Sequence, residues 1–398
     1  MLKKIDKEMK SRNLDAIIII GDNTYENPEL YYLVGSNLPR GGVYFKKIYE
    51  DPILIVNDVD FYNAKKSKIK NIKTFSSYGY YLIVKKLNEL QALISICDKI
   101  LKDNNVKGKI GIFGKHNASL IIKIVYELRR LGYQIVGDNP PTLLDNLREV
   151  KSQEEILRIK IVGDKAQKVM QKTIEFLTNC KRIGKKLYYK GKKLNVGKIK
   201  FYIKTWLLEE NLQAPYDLIF AAGTHTSNPH YLGMDKDLII TNEPIVFDLF
   251  PREIEGYWFD LTRTFSIGKP NKKILKMYEL VKEAQLLALE YLKEGVMAKE
   301  IMELVCNFFE KNGYSTPKQQ FNLKVGFLHS LGHGIGLTIG ERPFLSLSSN
   351  DKLKKGSVFT IEPGLYDPKV GGVRLEDVVV MGPKKIKNLT WIEKTIEI

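Results

Sequence analysis

The sequence predicts two domains, a smaller α/β domain over residues 1–145 and an α+β domain over residues 146–398. Three observations carry that expectation. The 398 residues, 44% apolar and 27% charged, are enough for two or three cores at about 150 residues per domain. In the first part, short apolar runs alternate with longer stretches of helical period; in the second, helices are mixed with hairpin-like strands and show no regular βαβ rhythm. Between the two, Asn139-Pro140-Pro141 marks a turn ahead of Asn146.

In the first domain, strands are expected at 16–20, 53–56 and 110–113, each bounded by Gly, Asp, Pro or Asn, with helices at 81–104 and 118–131. His116 is its one histidine, and nothing there gathers the groups that catalysis needs. In the second domain, Ser152 and Glu155 have capping-box spacing, so a helix starts at Ser152 with Ile159, Ala166, Met170, Ile174 and Leu177 on one stripe. Helices are expected at 272–293 and 298–312, and strands at 218–222, 245–250, 258–267, 357–362 and 373–381.

Composition narrows the function. The longest apolar run, residues 16–21, is far too short to span a bilayer, and the charged N-terminus leaves no room for a signal-peptide core. The expectation is a cytoplasmic protein without a membrane partner. Three widely spaced cysteines, Cys97, Cys180 and Cys306, make neither a disulfide framework nor a zinc knuckle. The net charge is +17, yet the lysines are spread along the chain. The one dense stretch, 181–204, reads as a solvated loop and helix face, so no nucleic-acid partner is expected.

The chemistry shows as acids placed where strands normally hold apolar residues: Asp248 in Ile-Val-Phe-Asp-Leu-Phe, Asp260 in Phe-Asp-Leu-Thr-Arg-Thr-Phe, Glu362 in Phe-Thr-Ile-Glu-Pro-Gly, and Glu376 in Val-Arg-Leu-Glu-Asp-Val. A bare buried carboxylate costs several kcal/mol, so such acids need a cation or a proton. Arg263 and Arg374 lie in the same segments and could neutralise two of them without metal. With His333 of His-Ser-Leu-Gly-His-Gly-Ile-Gly, the donor set suits a bridged pair of divalent ions such as Mn, Fe, Co or Zn better than a closed thiolate site.

The ordered series Asp248, Asp260, His333, Glu362, Glu376, with the words around each residue, resembles the pita-bread metallopeptidases, which include methionine aminopeptidase, aminopeptidase P and prolidase. Arg148-Glu-Val-Lys-Ser-Gln-Glu-Glu-Ile resembles the opening of the catalytic domain in the Xaa-Pro branch, and residues 1–145 resemble its creatinase-like N-terminal domain in size and character. The resemblance implies a pita-bread catalytic domain in which these five residues bind two metal ions, manganese first among the candidates. Glu362 would move the proton of the attacking water, His329 would stabilise the oxyanion, and His230 and Arg374 would handle substrate. Arg374, two residues from Glu376, would share its strand face. The implied reaction is hydrolysis of the bond before proline by a metal-bridged hydroxide, in an Xaa-Pro aminopeptidase or dipeptidase acting on short peptides, as a homodimer. Where the family reads His-Glu-x-Pro, this chain has Gly340-Glu341-Arg342-Pro343. That departure leaves open a different substrate, creatinase-like C–N hydrolysis, or a non-catalytic binding role. Asp248 and Asp260 are also one residue further apart than is usual, which a wider loop at 251–253 would absorb.

Overall fold

The computed structural model describes residues 1–254, 256–320, 322–383 and 385–398, in two units, Met1–Arg148 and Glu149–Ile398. In the first unit, β1 (Leu14–Gly21), β2 (Gly42–Lys47), β3 (Ile53–Val56), β4 (Asn71–Thr74), β5 (Lys109–Phe113) and β6 (Gln134–Val136) form one sheet in the order β4-β3-β2-β1-β5-β6. Only β2 runs against its neighbours. Residues 16–20 are apolar throughout because both faces of β1 are covered. Ile17 and Ile19 pack with Tyr44 and Leu54 on one side, Ile18 and Ile20 with Phe45 and Ile55 on the other.

Several elements of this unit, β2, β4 and β6 among them, lie outside the expectation, and two departures have a clear local cause. β2 escaped sequence reading because Lys46 interrupts its apolar run; the side chain is fully buried, with Nζ 2.7 Å from Asp6. The helix expected at 81–104 is two helices, Tyr80–Lys86 and Glu89–Asp103, because the Asn88 side chain accepts from the Gln91 N–H at 2.9 Å and caps a fresh start.

The second unit opens with the helix Gln153–Thr178, capped by Ser152 and Glu155 in the reciprocal bonds that their spacing predicts. Its Gly163 lies so close to the Phe259 ring that an added Cβ would meet it at 2.3 Å. The basic stretch is not a loop at first: β7 (Lys181–Ile183), β8 (Lys186–Tyr189) and β9 (Lys192–Lys193) form an antiparallel sheet ahead of the helix Val196–Glu209. Leu187 is buried within β8, while β7 and β9 are exposed along their length.

Next come β10 (Leu212–Gln213), β11 (Ile219–Ala222), β12 (Ile245–Leu249), β13 (Arg252–Glu253) and β14 (Leu261–Phe265). The expected loop at 251–253 is partly strand, as β13 pairs with β10, and β11-β12-β14 form a separate sheet. β15 (Gly332–Ile335), β16 (Ile339–Leu345), β17 (Val358–Ile361), β18 (Gly364–Asp367), β19 (Gly371–Arg374), β20 (Asp377–Met381) and β21 (Ile386–Asn388) make a sheet in the order β16-β15-β17-β20-β21 and a β18-β19 hairpin. The helices Lys272–Tyr291 and Ala298–Lys311 bury Val281, Ala288, Val305 and Phe309 in one core with Phe359, Ile361, Val373 and Val379.

The strand expected at 373–381 breaks at Leu375 and Glu376. Their backbone groups are used elsewhere: the Leu375 carbonyl accepts from Gln285, the Glu376 carbonyl from Arg263, and the Glu376 N–H donates to Thr262. Strand parity therefore does not relate Arg374 to Glu376. Their side chains still converge, since the Thr262 hydroxyl donates to Glu376 Oε2 at 2.7 Å and accepts from Arg374 Nε at 3.4 Å.

Candidate metal centre

All five expected ligands stand on strands or at their ends. Asp248 lies within β12, Asp260 just before β14, and His333 within β15; Glu362 follows β17, and Glu376 fills the break between β19 and β20. Asp248, Asp260 and Glu376 are buried, and His333 and Glu362 are half-buried. Ligand atoms of Asp260, His333 and Glu376 lie within 4.8 Å of one another. His333 Nε2 is 3.7 Å from Asp260 Oδ2 and 3.5 Å from Glu362 Oε1, longer than a good hydrogen bond to either.

The electrostatics demand a counter-charge. Burial raises Asp260 and Glu376 well above the usual carboxylate range, and the neighbouring acids raise them further. Burial pushes Glu362 up to about 8, with Arg374 pulling down and Asp248 adding to the rise. Asp248 Oδ1 and Asp260 Oδ1 are buried with no hydrogen-bond partner among the described residues. Arg374 alone donates to Asp248 Oδ2, at 2.6 Å. Divalent cations fit such a donor set: the unpartnered oxygens are what they would take up.

A second layer orients the acids. Thr262 Oγ1 donates to Glu376 Oε2 at 2.7 Å, and Thr360 Oγ1 to Glu362 Oε1 at 3.4 Å. His333 Nδ1 lies 3.1 Å from the Gly334 carbonyl, to which it can donate, and 3.3 Å from the Gly340 N–H, from which it can accept; only the first tautomer leaves Nε2 free toward the acids. Gly334 must be glycine here, since a Cβ would meet the Arg342 carbonyl at 2.1 Å. Gln285 is fully buried and donates to two carbonyls, Ile361 at 2.8 Å and Leu375 at 3.2 Å, each one residue before a ligand carboxylate. Gln285→Leu strands both carbonyls and is expected to lower stability by about 2–4 kcal/mol in denaturant titration.

The remaining predicted residues form one network. Arg374 also donates to the Tyr366 hydroxyl at 3.0 Å and to the Pro229 carbonyl at 3.2 Å, which ties down the turn bearing exposed His230. The Tyr366 hydroxyl then lies 2.8 Å from His329 Nε2, and His329 Nδ1 is 2.8 Å from the Ser330 carbonyl. Burial, aided by Arg374, drops His329 to about 3, so it is neutral. With Nδ1–H on Ser330, Nε2 accepts from Tyr366. A hydrogen bond from His329 to a substrate carbonyl therefore requires that tautomer to switch. His225 lies in the 223–227 turn and stacks on Tyr231 at 4.7 Å.

Tyr366, Thr262 and Gln285 escaped sequence reasoning. Tyr366 had a signal, since it follows Glu362 by four residues in Glu-Pro-Gly-Leu-Tyr and a buried hydroxyl needs a partner. Gly340 has φ +75° and open space where a Cβ would be, and its N–H lies 3.3 Å from His333 Nδ1. Its neighbour Glu341 pairs with buried Lys151 at 2.5 Å, linking the start of the unit to the hairpin that carries His333.

Comparison with known proteins decides the family. Residues 158–383 match metallopeptidase family M24. The chain belongs to that family. It is 30% identical over 395 residues to the Xaa-Pro dipeptidase of Pyrococcus horikoshii, covering 99% of this chain and 98% of that one. The crystal structure of the prolidase from Pyrococcus horikoshii OT3 superposes with a TM-score of 0.77 at 28% identity, over 99% of this chain and 98% of the other. An X-Pro aminopeptidase from Thermotoga maritima shares the fold, with a TM-score of 0.78 at 23% identity over 96% and 97% of the two chains. The family is one of metallopeptidases, so this chain is a hydrolase of that kind, with the mixed α/β architecture of the prolidases: an N-terminal domain and a C-terminal M24 domain. No helix among the described residues is long and apolar enough to cross a membrane.

Proposed function

We propose that the chain cleaves the peptide bond before proline in short peptides, using two divalent ions held by Asp248, Asp260, His333, Glu362 and Glu376. Manganese is the first candidate, with Co, Zn or Fe as substitutes. The observation that carries this reading is the pair of buried, unpartnered oxygens on Asp248 and Asp260 within a group of four acids. One guanidinium cannot balance four carboxylates, whereas two dications can. The full-length similarity to an Xaa-Pro dipeptidase supports the choice of substrate.

Two divalent ions supply Lewis acidity and make water nucleophilic at neutral pH. The protein's own groups do the rest. Asp248, Asp260, His333, Glu362 and Glu376 would hold the pair, with Asp260 and Glu376 the carboxylates that both ions would share. Glu362, ionised once the cations are bound, would take the proton of the attacking water and deliver it to the proline nitrogen, a tertiary amide that leaves poorly without one. Arg374 holds Asp248 in place and, through Tyr366, orients His329, whose Nε2 would change from acceptor to donor on meeting the scissile carbonyl. His230, on the turn that Arg374 anchors, faces the substrate. Residues 1–145 act as the creatinase-like domain of a homodimer. Nothing in the cluster favours the non-catalytic reading of Gly340.

The test is metal analysis of purified protein followed by hydrolysis assays with an Xaa-Pro dipeptide and an Xaa-Pro-Xaa tripeptide. Two ions per chain with manganese-dependent release of proline or of a Pro-Xaa dipeptide is the expected result, and the preferred length separates dipeptidase from aminopeptidase. Bound metal with no cleavage of either would overturn the substrate, and no stoichiometric metal would overturn the mechanism.

A further inference from the structure

The stretch from Lys181 to Lys204 plays no part in the centre. It holds ten Lys/Arg and no acid, and the fold lays it out on β7, β8, β9 and the first half of the helix Val196–Glu209. Lys200 and Lys204 both reach Asp217, at 2.6 and 2.9 Å. The other eight form no ion pair among the described residues. Beside them lies a slab of rings. Phe176 packs at 4.9 Å from Tyr189, 5.2 Å from Tyr202 and 5.8 Å from Trp206, while Tyr202 and Trp206 stack at 5.8 Å and 17°. Phe201 extends the slab into solvent at 58% exposure.

Lysine ammonium groups sit over these rings: Lys190 over Tyr189 at 5.4 Å, Lys172 over Trp206 at 4.9 Å, and Lys198 over both Phe201 and Tyr202, at 4.9 and 4.8 Å. An ammonium group rests on a ring only where no packed side chain covers that face. The rings are thus half-buried from behind and open, beneath flexible lysines, in front.

We propose that this face binds single-stranded nucleic acid. Cations without acid partners supply the phosphate term, and ring faces supply stacking for unpaired bases. A base that lands on a ring frees the lysine above it to turn to the adjoining phosphate, so the same side chains serve both contacts. Two of the nearby acids are paired, Asp217 with Lys200 and Lys204 and Glu209 with Lys172, while Asp235 lies against Gly197 at the start of the helix. A duplex would meet the charge but hide its base faces. A phospholipid surface would want an apolar helix face, and the exposed residues of this helix mix Lys198 and Lys204 with Phe201 and Leu208.

The experiment is fluorescence anisotropy of a labelled uridine 12-mer with the full-length protein at 50, 100 and 200 mM NaCl. Saturable binding is expected, with log K falling against log[salt] at a slope of about −4 if six phosphates are neutralised. Lys185→Glu/Lys192→Glu/Lys193→Glu should weaken it more than tenfold. Phe201→Ala should weaken it at least fivefold without changing the salt slope. Melting curves check each fold, and the corresponding Gln triple replaces the Glu triple if that one melts early. Absence of binding at 50 mM NaCl overturns the proposal. So does binding that ignores the lysine triple, binding that ignores Phe201→Ala, equal affinity for a 12-base-pair duplex, or binding to phosphatidylserine vesicles with none to the oligonucleotide.

Discussion

Asp260→Asn is expected to lower metal affinity about 100-fold or more and to abolish measurable Xaa-Pro hydrolysis, while leaving the metal-free fold at least as stable as the parent. The two halves of that result have one cause. Asp260 is 5% exposed, its Oδ1 has no donor, and Glu376, Asp248 and Glu362 all repel its charge. In metal-free protein the substitution removes a member of a self-repelling group, which costs nothing and relieves strain on the rest. In the loaded protein it would remove a carboxylate from the proposed centre, and losing even an outer partner of a metal ligand commonly costs 10–100-fold in affinity. Metal content after gel filtration, thermal melting with and without Mn²⁺, and a proline-release assay read the three effects. A variant that melts early without metal would mean that Asp260 is a structural ion-pair partner. A variant that keeps both ions would remove it from the centre altogether.

Much of this was legible in the sequence because it shows as contradiction: a carboxylate in an apolar run has to be explained, and four such runs in one domain share an explanation. The long helix was legible through its capping pair Ser152 and Glu155, and β1 through an unbroken apolar run that only a sheet covered on both faces tolerates. What stayed hidden depended on partners far away in the chain. Lys46 looks like the end of a strand until Asp6 neutralises it. The break at Leu375 and Glu376 is invisible without Gln285 and Arg263, which lie about 90 and 110 residues away and capture the carbonyls that would have continued the ladder. Tyr366 gains its role only when Arg374 and His329 arrive on either side of its hydroxyl. The proposed ligands stand out one by one because each violates a local rule. The groups that aim them obey local rules, and only the fold shows what they touch.

Metal-free protein is expected to lose stability as pH rises from about 5 to 8, most steeply above about 6.5, and Mn²⁺ is expected to restore it. A carboxyl whose pKa is raised by folding holds a proton that the unfolded chain has already released, so its contribution is full below the unfolded value and disappears as pH climbs through the folded one. For Glu362 that window runs from 4.5 to about 8, and Asp260 and Glu376 shift in the same direction. His329 opposes them at first: lowered from 6.5 to about 3, it favours the folded state increasingly as pH rises toward 6.5 and adds nothing beyond. Below that point the histidine offsets part of the carboxyls' effect; above it that offset is gone, and a proton still held by the folded state costs about 1.4 kcal/mol per pH unit. The carboxyls that folding lowers, Asp217, Asp367 and Asp377, lose their contribution only as the medium becomes strongly acidic, outside this window. Divalent ions replace the protons and release them on binding, so the loaded protein should show a flat or rising profile over the same range. Melting temperatures at half-unit intervals, with EDTA and with Mn²⁺, measure both curves. A metal-free profile that is already flat would show that the four acids are ionised and compensated within the chain, which would leave divalent ions nothing to neutralise.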